Sequence, residues 1–333
     1  MTLAVAVAGA MFVGIVAYAV LGGADFGSGF YDLTAGGTTQ GAALRTHVDH
    51  SIGPVWEANH VWLIYVLVTW WTAFPEAFAA AMSTLIIPLL LALLGIVLRG
   101  AGFAFRKYSA TLGQARLYGV IFAGSSLIAP FFLGAAAGAV ASGRVPADGG
   151  GDVWTSWLTI TSLAVGVIAV ASCAFLAGTF LTADAIRGGN DQLAEQLRRR
   201  TLIVGALTGL IVLSSLVPIA RDAPTLADGL TGRAAPLILT SILGGILSLL
   251  LLIRRHAAAA RVTAVAAVGS IIIGWGIAQY PWLLVDEVTI TEAAGAHATL
   301  QALLAVAALA GIIVLPALGY LFRLTQTEAW TRH

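Results

Sequence analysis

Apolar residues run along this chain in nine long blocks, separated by short polar segments. The blocks fall at about 3–23, 55–74, 78–98, 117–141, 156–181, 201–219, 235–253, 262–284 and 298–322. Each is long enough to cross about 30 Å of hydrocarbon at about 1.5 Å rise per residue. The pattern predicts an all-α integral membrane protein with nine transmembrane helices. The second and third blocks are joined by little more than Phe74, Pro75 and Glu76, which predicts a tight turn. Pro281 interrupts the eighth block near its polar end.

No loop is long enough for a sizeable soluble domain, so 1–333 reads as one membrane domain. The longest loops are 24–54, made flexible by Gly36, Gly37 and Gly41, and the region 220–234. Segment 142–152 is rich in Gly and Asp and reads as an external turn. Segment 184–200 reads as a short amphipathic helix near lipid headgroups. Trp154, Trp157, Tyr280 and Trp282 suit interfacial anchors. No simple short-period repeat is visible.

Composition points the same way. Hydrophobic residues make up 59% of the 333, and charged residues only 10%. Mean hydropathy is +0.92. A soluble domain carries about 25% charged residues, so this chain lacks the polar surface that a soluble fold needs. The first block has no basic flank and no processing site, and is expected to be a retained helix. The single Cys173 excludes an intramolecular disulfide framework. A net charge of +1 argues against nucleic-acid binding.

Charge placement then gives the blocks a direction. Segments after odd-numbered blocks, with the C-terminal tail, carry Arg45; Arg99, Arg106, Lys107 and Arg116; Arg187, Arg198, Arg199 and Arg200; Arg254, Arg255 and Arg261; and Arg323 and Arg332. These are fourteen of the 17 basic residues. Arg144, Arg221 and Arg233 lie on the other side. The positive-inside rule predicts the N-terminus outside and the C-terminus in the cytoplasm.

Ionisable groups within apolar spans are the most informative chemistry, because burial without a partner is costly. Asp25 lies within Gly22-Gly23-Ala24-Asp25-Phe26-Gly27-Ser28-Gly29. Glu57 lies within Gly53-Pro54-Val55-Trp56-Glu57-Ala58-Asn59-His60-Val61-Trp62. Both fall toward the predicted cytoplasmic side, where they could face each other. A carboxylate there can take a proton from water and pass it inward, and burial would raise its pKa. The structural alternatives are a helix-start residue after Pro54 for Glu57, and a cap among glycines for Asp25. His60 shares a helical face with Glu57 and suits a proton relay, a haem ligand or a hydrogen-bonded core residue. Asn59 is a buried polar group that needs a partner. His47 and His50 have ligand-like spacing but read as loop surface. No His-x-x-x-His or Cys-based metal motif is present.

Arg99, Gly100, Phe103, Phe105 and Arg106 cluster at the cytoplasmic end of the third block. They read as an anchor or as a salt bridge to Glu57 or Asp25. Gln279-Tyr280-Pro281-Trp282 reads as the lining of a quinone cleft or as an aromatic belt. Asp286, Glu287 and Glu292 read as ordinary solvated acids.

With these residues in view, the chain resembles subunit II of the cytochrome bd-type quinol oxidases over essentially its whole length. The motifs are Gly-Gly-x-Asp-Phe-Gly-x-Gly at 22–29 and Gly-Pro-x-Trp-[Asp/Glu]-x-Asn-x-x-Trp at 53–62. Arg99-Gly100-x-x-Phe103-x-Phe105-Arg106 and Ala278-Gln279-Tyr280-Pro281 followed by Thr291-x-x-Ala294 add to them. The resemblance implies two four-helix bundles and a peripheral helix. On that plan 1–141 forms the first bundle, 156–284 the second, and 298–322 the final helix. It implies a haem-free subunit packed against a haem-bearing subunit I that carries the b and d haems and oxidises quinol. The complex would reduce dioxygen to water in the bacterial cytoplasmic membrane. Small single-helix subunits, lipid and a structural menaquinone are further partners that the resemblance allows.

By the same resemblance Glu57 belongs to a cytoplasmic proton channel at the subunit interface, with Asp25 as companion and Asn59 and His60 beside it. Trp56, Trp62, Arg99, Arg106, Gln279 and Tyr280 hold structural or cofactor-adjacent places. Some relatives carry Asp where Glu57 stands, and His60 replaces a different polar residue. Short loops and Ala-rich helices resemble actinobacterial members and favour menaquinol as donor over ubiquinol.

Other readings compete. A proton-coupled secondary transporter would work alone, with broken helices at the midplane. A haem-bearing cytochrome subunit would need axial ligands, for which His60, His297, Met11 and Met82 are the candidates. A scaffold subunit would need no proton path.

Overall fold

Backbone groups in hydrocarbon must satisfy one another, so apolar blocks fold as helices. The computed structural model describes residues 2–37, 39–53 and 56–325. Pro54, Val55 and Arg332, which entered the motif and charge readings, lie outside them. Among the described residues eight helical stretches are long and apolar enough to cross a membrane: Leu3–Leu33, Ile86–Lys107, Leu112–Ala141, Ile160–Arg187, Asp191–Asp222, Ala235–Ile253, Ala257–Gln279 and His297–Leu321. A bent pair, Trp56–Ala73 with Pro75–Thr84, makes a ninth when taken as one span.

The first stretch joins α1 (Leu3–Ala17), a π-helical turn (Tyr18–Gly22) and α2 (Gly23–Leu33). Helix α3 (Ala42–Ile52) follows and buries Leu44, Val48 and Ile52, spaced four apart on one face. The expected loop at 24–54 is therefore mostly helix. Apolar periodicity was diluted there by the glycines and acids that the structure packs inside. His47 lies on α3, and its Nε2 is 3.0 Å from the Leu181 carbonyl, so it is not a loop residue.

Pro75 forces Phe74 out of helical geometry (φ −138°, ψ 61°). Helix α4 (Trp56–Ala73) ends there, and α5 (Pro75–Thr84) restarts at 118° to it. Helix α6 (Ile86–Lys107) is the next span. The expected turn and the span at 78–98 are thus corrected. A crosswise helix takes the first part, and the span shifts to carry Arg99 within it.

Helices α7 (Leu112–Ala141) and α8 (Ile160–Arg187) are capped by Thr111 and Thr159, whose hydroxyls accept from Gln114 N and Ser162 N at 3.2 and 3.1 Å. Gly189 (φ +71°) and the Asn190 cap turn the chain into α9 (Asp191–Asp222). The segment 184–200 is therefore the end of one span and the start of the next, not a separate surface helix. Helices α10 (Pro224–Thr231), α11 (Ala235–Ile253) and α12 (Ala257–Gln279) follow.

The eighth span stops at Gln279 rather than 284. After it, β1 (Trp282–Leu284) pairs antiparallel with β2 (Val288–Thr289), a small departure from an all-α chain. Helix α13 (His297–Thr325) closes the chain. Trp157 is buried and donates to the Val153 carbonyl at 3.0 Å, so it is not an interfacial anchor.

Helix α6 lies along α7, and α2 packs between α7 and α8. Helices α9 and α12 pack on α8, and α11 packs on α12. Helix α4 lies against α1, and α13 touches both.

Candidate functional site

Helix α2 can sit against α8 only because of its glycines. A Cβ on Gly27 would stand 1.8 Å from the Cys173 carbonyl oxygen. Small residues at such contacts let backbones approach closely. The π-helical turn just before α2 breaks the regular register, a device common at functional sites. Together they hold Tyr18, Asp25 and Phe26 inside the bundle.

Asp25 is only 4% exposed. Its Oδ2 accepts from Asn59 Nδ2 at 2.6 Å, which joins α2 to the first turns of α4. Arg99, on α6, is 1% exposed. Its guanidinium lies over the rings of Phe26, Phe122 and Trp56, at 5.0, 5.5 and 5.8 Å. Such contacts stabilise a desolvated cation. Arg99 makes no ion pair among the described residues, and its Nε and Nη2 have no hydrogen-bond partner. The expected salt bridge from Arg99 to Glu57 or Asp25 is therefore absent, although Asp25 lies within its electrostatic reach.

His60 packs among Phe26, Tyr18 and Trp56, with ring centroids at 5.8, 5.9 and 6.0 Å. Neither of its ring nitrogens has a partner, nor do Tyr18 Oη and Asn59 Oδ1. A macrocycle bound to His60 would have to displace those rings. The cluster holds a carboxyl, an imidazole and a phenol, which can exchange protons, together with an amide that hydrogen-bonds to the carboxyl, in one apolar interior. Trp56 packs on Phe103 at 5.7 Å, and Trp62 edge-on to Tyr65 at 6.5 Å.

Glu57 does not join them. It is exposed on α4, so it neither meets Asp25 nor has the burial expected of it. Residues two apart on a helix point to nearly opposite sides. Asn59 turns inward and Glu57 outward.

A second group escaped the sequence reading. Asp32, 3% exposed, accepts from Arg106 Nη1 at 2.6 Å and lies 3.5 Å from Arg45 Nε. Arg106 also pairs with Asp49 on α3. Burial pushes the Asp49 carboxyl above its ordinary value, against the pull of Arg106. The signal was present: Asp32 follows Asp25 by two helical turns, as Arg106 follows Arg99.

At the far end, Gln279 Nε2 donates to the Leu283 and Trp282 carbonyls at 3.1 and 3.4 Å. The Arg233 guanidinium lies 5.8 Å from the Tyr280 ring and donates to its carbonyl. These two residues are spent on the hairpin. A groove of about 500 Å³ between α1 and α12 is lined by Phe12, Val16, Val20, Val265 and their apolar neighbours. It suits a hydrocarbon tail and offers no polar atom for a quinone head. Asp286, Glu287 and Glu292 are exposed, as expected, and also accept from Thr225, Ala147 and Thr289. Among the described residues no three of His, Cys, Asp and Glu come together as a metal site.

The model of the family described as cytochrome bd terminal oxidase subunit II matches residues 3–325. Cytochrome bd ubiquinol oxidase subunit 2 of Bacillus subtilis is 34% identical over 119 residues, covering 36% of this chain and 34% of that protein. Cytochrome bd-I ubiquinol oxidase subunit 2 of Escherichia coli K12 is 31% identical over 130 residues, covering 39% and 33%. The matched stretches thus span about a third of these relatives. Among solved structures, the bd oxidase from Geobacillus thermodenitrificans has a chain that aligns with a TM-score of 0.80. That chain is 24% identical, with 97% of this chain and 98% of that chain covered, a likeness of fold.

Proposed function

This chain belongs to the cytochrome bd terminal oxidase subunit II family, and from that membership we propose that it is the haem-free second subunit of a bacterial membrane quinol oxidase. Its partner would be a haem-bearing subunit I, which oxidises quinol and reduces dioxygen to water. The nine spans would form two four-helix bundles and a peripheral helix, with the N-terminus outside and the C-terminus in the cytoplasm. Ala-rich helices and short loops favour menaquinol as the donor, as in actinobacterial members. Membership sets this reading ahead of the secondary transporter.

Within that complex, Glu57 takes protons at the cytoplasmic mouth and passes them toward the partner. Asp25, Asn59 and His60 form the interior side of the same path. The Asn59–Asp25 hydrogen bond supports the interior part of this reading, because it joins the two motifs inside the bundle, while Glu57 lies on the opposite face of α4. The exposed position of Glu57 supports a carboxylate offered to water and a partner surface. The packing of Tyr18, Phe26 and Trp56 around His60 supports a haem-free chain.

The test is Glu57→Gln in the assembled oxidase. Quinol-driven oxygen consumption should fall at least tenfold while b- and d-type haem absorbance stays at the wild-type level. Unchanged turnover at full haem content would sink the proton role. Loss of haem would replace it with a role in assembly.

A further inference from the structure

At one end of the molecule the tips of α8, α9, α11 and α12 bring seven arginines together with three carboxylates. The arginines are Arg187, Arg198, Arg199, Arg200, Arg254, Arg255 and Arg261, and the carboxylates Asp184, Asp191 and Glu195. Glu195 is shared three ways. Arg198 Nη2 and Arg199 Nε reach its Oε1 at 2.7 and 2.9 Å, and Arg255 Nη2 lies 3.6 Å from its Oε2. Asp184 takes Arg187 at 2.9 Å and Arg261 at 3.8 Å. Arg200 is spent on the Thr34 carbonyl at 3.1 Å. Arg254 has no carboxylate partner among the described residues, and it is exposed. Positive charge is left over, concentrated in the turn between α11 and α12.

That turn has two further features. Arg255 adopts φ 64°, a left-handed conformation that favours glycine, yet the position carries a charged side chain that is 75% exposed. Helix α12 begins without a side-chain cap and without an acidic residue in its first turn. Its first amides and the positive end of its dipole therefore face the same place as Arg254 and Arg255. Beside them the outward face of α9 has a cavity of about 400 Å³ lined by Gln192, Glu195, Gln196, Arg199 and Arg200. Just inward, Ile203 and Leu207 on α9 and Ile246 and Leu250 on α11 are exposed. The surface passes from arginines to bare hydrocarbon within about two helical turns.

We propose that this end of the bundle binds an anionic phospholipid, with the phosphate on Arg254, Arg255 and the first turn of α12, and the acyl chains along α9 and α11. Excess guanidinium matches the phosphate charge and takes it in bidentate geometry. The apolar strip below matches the tails and separates a lipid from a free anion. The site is independent of the proton path and of quinol chemistry.

The whole purified oxidase is incubated with phosphatidylglycerol or with phosphatidylcholine and examined by native mass spectrometry. Wild type should retain phosphatidylglycerol in preference to phosphatidylcholine. R254Q/R255Q should lose that preference by about fivefold per arginine, while R221Q at the opposite end keeps it. Equal retention by wild type and R254Q/R255Q would overturn the site, as would equal uptake of the two lipids. Displacement of the lipid by inorganic phosphate would reduce it to an anion site and overturn the lipid assignment. If the double variant does not assemble, thermal unfolding of wild type decides. Phosphatidylglycerol should raise the unfolding temperature more than phosphatidylcholine, and an equal effect would refute the proposal.

Discussion

Asn59 donates from Nδ2 to Asp25 Oδ2 at 2.6 Å, across 34 positions of sequence and inside an apolar bundle. A hydrogen bond to a buried carboxyl contributes about 1.5–3 kcal/mol. Asn59→Leu should therefore destabilise the purified complex by about that amount, with a clear fall in unfolding temperature. Asn59→Asp should cost more, because two carboxyls would then share one apolar pocket. An unfolding temperature equal to wild type in both variants would show that the bond is idle.

Arg106 holds Asp32 where water reaches little of the carboxylate. Removing one partner of a buried pair costs about 3–5 kcal/mol. Arg106→Gln should destabilise on that scale. Adding Asp32→Asn should recover part of the loss, because the more buried of the two carboxylates that Arg106 serves is then neutral. Strictly additive losses in the double variant would mean that the two residues do not act as a pair.

Gly27→Ala places a methyl within bonding distance of the Cys173 carbonyl. Helices α2 and α8 must separate to admit it. The expected outcome is loss of assembled protein, read as yield and protease resistance. Gly9→Ala is the control, since nothing lies within 4 Å of its added Cβ. Equal yields from the two variants would contradict the close approach.

Thr289 holds the Glu292 carboxylate below the usual range, through its hydroxyl at 2.7 Å and its backbone N–H at 2.9 Å. A carboxyl whose folded value is depressed stabilises the fold above its unfolded value and loses that contribution as pH falls through the folded one. The hairpin should thus exchange its amide hydrogens faster as the solution is acidified below the ordinary carboxylate range. Glu292→Gln should flatten that pH dependence within the hairpin and leave the spans unaffected. A hairpin profile identical in the variant would rule out Glu292 as the cause.

Much of this was legible from residue types alone. Apolar length placed the spans, and Pro75 and Pro281 marked two of the real breaks. The acid of the first motif and the amide of the second were both singled out, and they meet. Glu57 is the more conspicuous group in the sequence, yet Asn59 is the one that meets Asp25. Helical phase separates those two by roughly half a turn, and only one of them can face Asp25. The segment 24–54 departs from the expected loop for a related reason. Its glycines, acids and histidines look like loop chemistry, yet Asp25 and Asp32 are buried and Asp49 pairs with Arg106. Arg99 looked like an anchor at a membrane surface until α6 proved to start late, at Ile86.

The bend at Phe74 and Pro75 also bears on the bilayer itself. Helix α4 has 18 residues, a rise of about 27 Å, slightly less than the about 30 Å of an average hydrocarbon layer. Its first turns carry Glu57, Asn59 and His60, which shortens the apolar part further. Lipid meeting such a short wall thins to match it. Where lipid covers α4, such thinning would draw headgroups and water toward its polar end and shorten the distance from bulk solvent to Glu57 without any movement of the protein.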